Sequence, residues 1–514
     1  MKQWDRGHGV LVSAREMRGL EESAVVAGIS EEALMEEAGA GLAEVVRQTG
    51  VRRGLAVVFA GKGHNAGDAF VLARHLLRDG WEVEVRAVWD EESWRPLARR
   101  KFAEVRGAVC CVPLEAGIPD RVALIIDGLV GIGFGGELGG RLRLACLAVR
   151  AMRESTGAMV LAVDVPSGLP ADGGDADSAV VVADVTVALG YAKLGHCADG
   201  AAGWCGRLAV VPLTGLPALA AVEGGRPRLL TPELLRGWLG GPRGFAMHKG
   251  EAGRVGVLAG SVGLTGAARL AAAGASQAGA GLVTLFSPAS VWSELASGCP
   301  PEVMVRPVRS CRELMEAKLD ALAVGPGLGT AAPADLLTLI RRDGRPMLVD
   351  ADGLNALAAL PGGLEIWPAA GPRLLTPHPG EMERLLRRFA PCLLGAPVAG
   401  QAGGLAQATG ATVLLKGARS CVASPDGRLA YNASGHPAMA RGGMGDVLSG
   451  MAAAFMAGGQ EPFAAACLAS WLIGAGAESW LRRNGWAVEA LSASAVLRHA
   501  CRNALPALRS GGIF

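Results

Sequence analysis

The feature that most constrains the fold is a repeated alternation of short β-branched runs with amphipathic stretches. Stretches such as AFVLARHLLRDG (69–80) have a helical period and close on glycine, which predicts helices between the runs. The alternation therefore predicts an open parallel α/β sheet with helices on both faces. The strands predicted in the first part of the chain are LAVVFAG (55–61), VEVRAVW (83–89), VALIIDG (122–128), MVLAVDVP (159–166) and VTVALG (185–190).

The alternation stops after residue 213 and restarts near residue 254. The intervening residues 214–233 are rich in glycine and proline and have no clear period. We therefore predict two α/β domains, residues 1–213 and 229–514, with a linker over 214–228. Each domain is expected to bind its ligand at the carboxyl ends of its strands. The strands predicted in the second domain are RVGVLAG (254–260), LVTLFSP (282–288), LDALAVGPG (319–327), RPMLVDADG (345–353), PRLLTPHPG (372–380) and TVLLKG (412–417).

Composition excludes several classes of protein. The 514 residues are 50% hydrophobic and 19% charged, which is typical of folded domains with sizeable cores. A net charge of +2 gives no reason to expect nucleic acid or an acidic membrane as a partner. The 11 cysteines form no CxxC pairs, which favours reduced thiols over disulfides or a zinc site. Without an apolar leader or an apolar run of about 20 residues, we expect a soluble cytoplasmic protein.

Three strand ends of the first domain combine glycines with polar residues. FAGKGHNAGDAF (59–70) runs from a strand through a glycine-rich turn into a helix, where free N–H groups attract phosphate. It lacks the GK[ST] of a Walker loop, so a purely structural turn stays open. Asp127 and Asp164 end two further strands, where a helix cap is the alternative role. Together with Asn65 and Ser167 they offer oxygen ligands for a cation and a candidate catalytic acid or base.

The most specific motif of the second domain is ARGGMGD, which ends at Asp446 and precedes the predicted helix VLSGMAAAF. Backbone amides at a helix amino terminus can bind the oxygens of a transferring phosphoryl group. A carboxylate beside them can take a proton from the attacking hydroxyl. Asp446 is therefore the candidate catalytic base, with a helix cap as the alternative.

Other polar groups follow the neighbouring predicted strands. In KGARS (416–420), Lys416, Arg419 and Ser420 are candidates to bind nucleotide phosphates, with a solvated basic loop as the alternative. His378 is a candidate substrate contact. A further polar cluster consists of Asp350, Asp352 and Asn355. Its residues could organise a magnesium–phosphate network or cap the helix that follows, and the sequence favours neither role.

The order of motifs over residues 10–212, beginning with LVSAREMRGLEE (11–22) and ALMEEAGAGLAEVV (33–46), resembles the NAD(P)H-hydrate epimerase family. The resemblance implies a Rossmann-like fold and interconversion of the R and S forms of the hydrated nicotinamide. It implies a potassium ion held by Asn65, Asp127 and Ser167, and a catalytic role at Asp164. The implied substrate contacts are His64, Asn65, Ala66, Gly67, Asp68, Gly131, Ile132, Gly133, Phe134, Gly135, Gly136, Glu137 and Asp164.

The sequence departs from that family at the glycine-rich turn. The family usually reads GNNGGDG where this chain reads GHNAGDA, so His64 replaces an asparagine and Ala66 and Ala69 replace glycines. Glu37 stands where an asparagine is common. The cation ligands are retained, while the efficiency of the epimerase depends on this altered loop.

Residues 226–510 resemble the ADP-dependent NAD(P)H-hydrate dehydratase family through HKG, GSxxxTGA, TPHPGE and GGMGDVLSG. The resemblance implies a ribokinase-like fold. It implies that ADP phosphorylates the added hydroxyl and that elimination of phosphate restores NAD(P)H, with AMP as co-product and Mg²⁺ accompanying ADP. The implied AMP/ADP contacts are Lys416, Gly417, Ala418, Arg419, Ser420 and Gly445, and the implied hydrated-nucleotide contacts are Gly325, His378 and Asp446.

Fusion of the two domains in this order resembles the bifunctional NAD(P)H-hydrate repair enzymes. An epimerase on the same chain makes both epimers recoverable by a dehydratase that takes only the S form. Small-molecule substrates and a homo-oligomer are expected, without nucleic-acid or membrane partners. Two alternatives stay open: a ribokinase-like vitamin kinase for the second domain, and a non-catalytic binding domain, such as an RNA-decay scaffold, for the first.

Overall fold

The computed structural model describes residues 9–219, 226–241, 243–329, 335–359 and 367–511. Contacts between Cα atoms divide the chain into two compact units, residues 1–222 and 223–514. Residues 220–225 of the predicted linker lie outside the described residues, and the domain limits stay a prediction. No helix in the described ranges is long and apolar enough to cross a membrane.

The amino-terminal unit is built on one parallel sheet of seven strands in the order β3-β2-β1-β4-β5-β6-β7. The order confirms the predicted parallel sheet, and it adds β3 and β7 at its edges. The strands are β1 (Leu55–Ala60), β2 (Glu82–Ala87), β3 (Cys110–Val112), β4 (Val122–Gly128), β5 (Met159–Val163), β6 (Val185–Leu189) and β7 (Arg207–Val211). The helices are α1 (Ala14–Val26), α2 (Glu31–Thr49), α3 (His64–Arg78), α4 (Pro96–Ala103), α5 (Gly140–Thr156) and α6 (Ala201–Cys205).

Helices cover both faces of this sheet. Side chains alternate along a strand, so Val58 of β1 packs into one core and Val57 into another. The first core contains residues of α1, α2 and α3, and the second contains residues of α5. Burial on both faces explains why the predicted strands read as continuous apolar runs.

The carboxy-terminal unit has a mixed sheet of ten strands in the order β11-β10-β9-β12-β13-β14-β15-β16-β17-β8, in which β16 is antiparallel to both neighbours. The strands are β8 (Arg228–Leu229), β9 (Arg254–Leu258), β10 (Leu282–Pro288), β11 (Val303–Val308), β12 (Ala321–Val324), β13 (Met347–Val349), β14 (Arg373–Leu375), β15 (Thr412–Leu415), β16 (Cys421–Ala423) and β17 (Leu429–Tyr431). The helices are α7 (Pro232–Arg236), α8 (Thr265–Gln277), α9 (Ala289–Gly298), α10 (Arg312–Glu316), α11 (Leu336–Arg342), α12 (Asp352–Ala358), α13 (Pro379–Phe389), α14 (Val398–Thr409), α15 (Met444–Ala457), α16 (Pro462–Arg483), α17 (Ala493–His499) and α18 (Leu505–Ser510).

Close packing of α8 against α15 fixes where α15 begins. A Cβ atom at Gly450 would lie 1.9 Å from the carbonyl oxygen of Ala271, and one at Gly274 would lie 2.7 Å from that of Val447. Glycine is required at both positions because any side chain would force the two helices apart. The small-residue stretches of the sequence therefore bring the two helices into backbone contact and set the position of the GGMGD turn.

Candidate active sites

A cavity of about 960 Å³ in the amino-terminal unit opens where β1 and β4 lie side by side. The chain leaves these two strands in opposite directions along the sheet, and this divergence creates a crevice at their carboxyl ends. Of the residues predicted to contact substrate, those that line the cavity are His64, Asn65, Asp68, Gly131, Ile132, Gly133 and Asp164. The other predicted substrate contacts are not among the described residues that line the cavity; they are Ala66, Gly67, Phe134, Gly135, Gly136 and Glu137.

The inward-packing side of α3 explains why some of these motif residues line the cavity and others do not. Ala66 is fully buried, and a Cβ atom at Gly67 would lie 2.5 Å from Cε of Met35. Both positions therefore face the protein core, while Asn65 and Asp68 face the cavity. The motif residues are close in sequence, but the helical turn sends them in different directions.

Asp164 is held by a buried network that motif reasoning missed. Its backbone is left-handed, with φ of 65°, and its Oδ1 accepts hydrogen bonds from Lys193 Nζ at 2.5 Å and from Leu189 N at 3.1 Å. Lys193 and His196 are both fully buried. His196 Nδ1 accepts from the Lys193 amide, so Nε2 carries the hydrogen that it donates to the Asp164 carbonyl oxygen at 2.9 Å. The signal was the polar pair Lys193 and His196 directly after the apolar β6.

Asp127 and Ser167 form a second buried cluster. Ser167 donates to Asp127 through Oγ at 2.6 Å and through its backbone amide at 2.8 Å. Burial raises the pKa of Asp127 to about 6, although the hydrogen bonds from Ser167 and Leu129 oppose this shift. Asn65 belongs to the same region: a Cβ atom at Gly131 would lie 3.0 Å from its Oδ1, and its buried Nδ2 has no hydrogen-bond partner among the described residues. These are hard oxygen donors of the kind that alkali and alkaline-earth cations take.

Two further carboxyl groups, those of Asp68 and Glu21, line the cavity. Burial raises the pKa of Asp68 well above its ordinary value, Asp164 and Glu21 raise it further, and Lys193 opposes them. Burial also raises the pKa of Glu21 to about 6. Burial and the two neighbouring carboxyl groups therefore favour the protonated form of Asp68.

The residues that depart from the epimerase pattern mostly lie behind the cavity wall. Ala69 is fully buried, close to the position that a Cβ atom of Gly128 would occupy, 2.7 Å away. Glu37 accepts hydrogen bonds from the Thr214 amide at 2.9 and 3.0 Å. His64 alone of these substitutions reaches the cavity, where burial and then the nearby Arg95 lower the pKa of its imidazole.

In the carboxy-terminal unit, the GGMGD turn places Asp446 in the first turn of α15. Gly443 occupies the cap position with φ of 92°, and no side chain caps the helix. The first backbone N–H groups of α15 therefore point out without intrahelical partners, and they bear the positive end of the helix dipole. Burial, and then the charge of Asp350, raise the pKa of Asp446 to about 6, against the opposing effect of Lys416.

An ion-pair network lies beside this helix start. Lys416 Nζ donates to Asp350 Oδ1 at 2.7 Å, and Ser449 Oγ donates to Asp350 Oδ2 at 2.7 Å. Burial alone lowers the pKa of Lys416, but Asp350 and Glu381 outweigh it and raise the pKa above its ordinary value. A Cβ atom at Gly445 would lie 3.4 Å from Lys416 Nζ, so the lysine and the glycine-rich turn face one another.

Four adjacent parallel strands bring the remaining predicted residues to this edge of the sheet. Gly325 follows β12, Asp350 follows β13, His378 follows β14 and Lys416 follows β15. A Cβ atom at Gly325 would lie 1.8 Å from the Asp350 carbonyl oxygen, so only glycine fits there.

His378 caps α13, since its Nδ1 accepts from the Gly380 amide at 3.1 Å, and its side chain is half exposed. Asp352 accepts from the Gly329 amide at 2.8 Å, and Asn355 contacts both Asp352 and Arg384. Asp350 pairs instead with Lys416, so it is separate from the hydrogen-bonded pair of Asp352 and Asn355.

Only part of the KGARS loop (416–420) belongs to the ion-pair network of Lys416 and Asp350. Lys416 belongs to it, whereas Ser420 closes its own loop by accepting from the Gly417 amide at 3.2 Å and donating to the Gly417 carbonyl at 3.1 Å. Gly417 and Ala418 are exposed, and Arg419 is half-buried. The loop therefore contributes Lys416 to the ion-pair network and leaves Gly417 and Ala418 exposed.

Comparisons with known proteins match both units. The family described as YjeF-related protein N-terminus matches residues 31–195, and the family described as NAD(P)H-hydrate dehydratase matches residues 255–499. The chain is 37% identical over 485 residues to a bifunctional NAD(P)H-hydrate repair enzyme of Moorella thermoacetica, covering 88% of each chain. It is 36% identical to a protein of the same description from Gloeobacter violaceus, covering 92% of this chain and 93% of the relative. A solved ADP/ATP-dependent NAD(P)H-hydrate dehydratase of Bacillus subtilis, co-crystallised with ATP and Mg²⁺, is 29% identical, covers 55% of this chain and 98% of its own, and has a TM-score of 0.45.

Proposed function

The chain belongs to the family of bifunctional NAD(P)H-hydrate repair enzymes, and from this premise we propose how its two units divide the work. The enzyme is both an NAD(P)H-hydrate epimerase and an NAD(P)H-hydrate dehydratase that uses ADP or ATP. Residues 1–213 interconvert the R and S epimers, and residues 229–514 dehydrate the S epimer. Relatives that match along nearly the whole chain carry the same two-part description, so a vitamin kinase with an inert partner domain is not favoured.

One observation supports the dehydratase mechanism most directly: Asp446 lies beside both the open start of α15 and the Lys416 ammonium. The helix start and Lys416 bind the phosphate oxygens of the nucleotide, with Gly445 allowing close approach. Asp446 takes the proton of the added hydroxyl as it attacks the terminal phosphorus. A pKa of about 6 leaves Asp446 ionised at neutral pH yet basic enough to accept that proton. The phosphate then leaves with the electron pair of its C–O bond, and loss of a proton from the adjacent ring carbon forms the double bond that restores the dihydronicotinamide ring.

The donor set beside Asp446 also suits Mg²⁺, which takes oxygen ligands and prefers to retain phosphate and water in its coordination shell. The nucleotide phosphates would hold the ion, with Asp446 near it through water, because both carboxylate oxygens of Asp350 already accept hydrogen bonds. The ion supplies neutralisation of phosphate charge when bound. ADP is the proposed phosphoryl donor, with contacts along Lys416–Ser420.

In the epimerase unit, Asp164 is the proposed catalytic group, and Asn65, Asp127 and Ser167 are the proposed ligands of K⁺. The carbonyl oxygen of the Asn65 side chain and the adjacent oxygens of Asp127 and Ser167 support a cation at this point. The ion supplies a fixed positive charge near the cavity when bound. A homo-oligomer and a cytoplasmic location complete the proposal.

The dehydratase proposal is tested by adding ADP to S-epimeric hydrated NADH and following the return of NADH absorbance. The full chain should restore NADH with one AMP and one phosphate for each molecule, and Asp446→Asn should lose this activity. A matched control is Asp426→Asn, which removes a carboxylate of the same unit whose partners are Ser424 and Arg428. Accumulation of a stable phosphorylated product in place of NADH would instead indicate a small-molecule kinase.

The epimerase proposal is tested with R-epimeric hydrated NADH and separation of the epimers by chromatography. The full chain should accelerate conversion to the S form over buffer, and the acceleration should depend on K⁺. Replacing K⁺ with tetramethylammonium keeps the ionic strength constant and serves as the control. Conversion at the buffer rate in both salts would contradict the epimerase assignment.

A further inference from the structure

The cavity of the amino-terminal unit is lined by a second aspartate besides the proposed catalytic one. Asp68 and Asp164 both line it, on different elements: Asp68 on α3, and Asp164 at the carboxyl end of β5. Their electrostatic surroundings are opposite. Asp164 has a buried lysine as its partner, whereas the carboxyl group of Asp68 makes no hydrogen bond or ion pair within the described part of the chain.

We propose that Asp68 and Asp164 form an acid–base pair that epimerises the hydrated ring by removing and re-adding water, and that Lys193 is the positioning residue for Asp164. The inference deepens the proposed epimerase function and rests on it. It gives distinct roles to two groups that line one cavity, and it adds a lysine that none of the sequence motifs contains.

The position of Lys193 fixes the charge and orientation of Asp164. Lys193 is fully buried, and its Nζ donates to Asp164 Oδ1 and to the Leu189 carbonyl at 2.9 Å. A buried lysine needs a compensating acidic partner, and Asp164 is that partner. Because Oδ1 accepts from both Lys193 and the Leu189 amide, Oδ2 is left for the cavity, 3.3 Å from where a Cβ atom of Gly131 would lie.

Asp68 has the environment of a proton donor. Its carboxyl group is buried, faces the cavity and lacks a cation partner in the described ranges, and burial raises its pKa. A neutral carboxylic acid in a cavity can donate a proton to a leaving hydroxyl. Two carboxyl groups in contrasting surroundings, one beside a buried lysine and one without a cation partner in the described ranges, are the usual signature of such a division of roles.

The chemistry balances with water as the only co-reactant. Asp68 donates its proton to the hydroxyl on ring carbon C6, the C–O bond breaks with its electron pair, and water leaves. The lone pair of the ring nitrogen forms a C=N bond and gives a planar iminium ion. Water then adds to the other face of C6, the C=N electrons return to nitrogen, and Asp164 takes the released proton. The opposite epimer runs the same steps in reverse with the two carboxyl groups exchanging roles, as microscopic reversibility requires.

Oxygen isotope exchange tests the chemical step. Epimerisation by the full chain in ¹⁸O water should place one solvent oxygen in every molecule that inverts, which is a mass increase of two units in the S product formed from R substrate. Substrate incubated without enzyme gives the background exchange. Inverted product that retains its original oxygen would overturn the mechanism, because inversion would then proceed without loss of the hydroxyl.

Substitutions test the residue roles. Asp68→Asn keeps the shape of a neutral carboxyl group but carries no transferable acid proton, and it should lower kcat about 10²-fold with little change in KM. Lys193→Ala should lower kcat to a similar extent, and added methylammonium should restore part of the loss by supplying the missing cation beside Asp164. A purely structural lysine would give a loss that methylammonium does not repair.

Lys101→Met is the matched control, because Lys101 is also a buried lysine among carboxylates but does not line the cavity. It should lower the melting temperature and leave kcat near the wild-type value. ADP-dependent repair of pure S substrate by each variant, together with circular dichroism, reports on folding. If Lys193→Ala fails to fold, Asp68→Asn decides the proposal, and an unchanged kcat there would overturn it. A wild-type chain without epimerase activity would instead contradict the proposed function itself.

Discussion

Replacing Asp446 with asparagine should make the protein inactive as a dehydratase and at the same time more stable. The pKa of Asp446 is raised from its ordinary value of 3.8 to about 6, first by burial and second by Asp350. Each unit of pKa shift corresponds to about 1.4 kcal/mol. A shift of roughly two units therefore means that the ionised carboxylate lowers the free energy of unfolding by about 3 kcal/mol.

The direction in which the free energy of unfolding changes with pH follows from proton binding. Between pH 3.8 and about 6 the folded protein holds a proton on Asp446 that the unfolded chain has released, so stability falls as pH rises through this window. Above about pH 6 the loss is complete. Asparagine carries no charge, so Asp446→Asn should gain up to about 3 kcal/mol at neutral pH and progressively less as the pH falls toward 4.

Urea unfolding of the carboxy-terminal unit at several pH values measures this difference, and the ADP-dependent repair assay measures the loss of activity, which should be about 10²-fold or more. Asp426→Asn is a control of opposite sign, because Arg428 and the neighbouring hydrogen bonds lower the pKa of Asp426 to about 2. That variant should be destabilised at neutral pH. An Asp446→Asn variant that stays active and loses stability would refute the reasoning and would indicate a helix-capping role.

Further outcomes are expected at the same two sites. The dehydratase rate at saturating ADP should fall as pH decreases through about 6, because protonated Asp446 cannot accept the substrate proton; a flat profile down to pH 5 would contradict this. Gly445→Ala should cost about 10²-fold in kcat/KM for ADP while leaving the melting temperature unchanged, since its Cβ atom would lie 3.4 Å from Lys416 Nζ without a clash. Lys416→Met should destabilise the protein by about 3–5 kcal/mol in urea unfolding, and adding Asp350→Asn should recover much of that loss, because the buried carboxylate then no longer lacks its cation. Ser167→Ala should raise the K⁺ concentration needed for half-maximal epimerase activity, and an unchanged K⁺ dependence would exclude Ser167 as a ligand.

Local sequence was sufficient to predict those strands and helix starts that depend only on residues adjacent in the chain. The apolar run at residues 122–128 predicted β4 with the same bounds, because a strand buried on both faces needs continuous apolar side chains. The glycines before Asp446 predicted a helix start there, since Gly443 supplies the left-handed residue that the turn needs. The hairpin of β16 and β17 was missed although Asp426-Gly427 is a recognised turn signal, because its strands are only three residues long.

The sequence by itself thus determined two α/β units, the strand ends that carry chemistry and the identity of Asp446, because each is written in a contiguous motif. Only the tertiary structure decided which charged groups meet. Lys193 reaches Asp164 across 29 residues, and Lys416 reaches Asp350 across 66 residues, in both cases because parallel strands of one sheet end at the same edge. Whether a carboxylate is paired or unpaired sets its protonation, and that pairing depends on strand order, which no local pattern specifies.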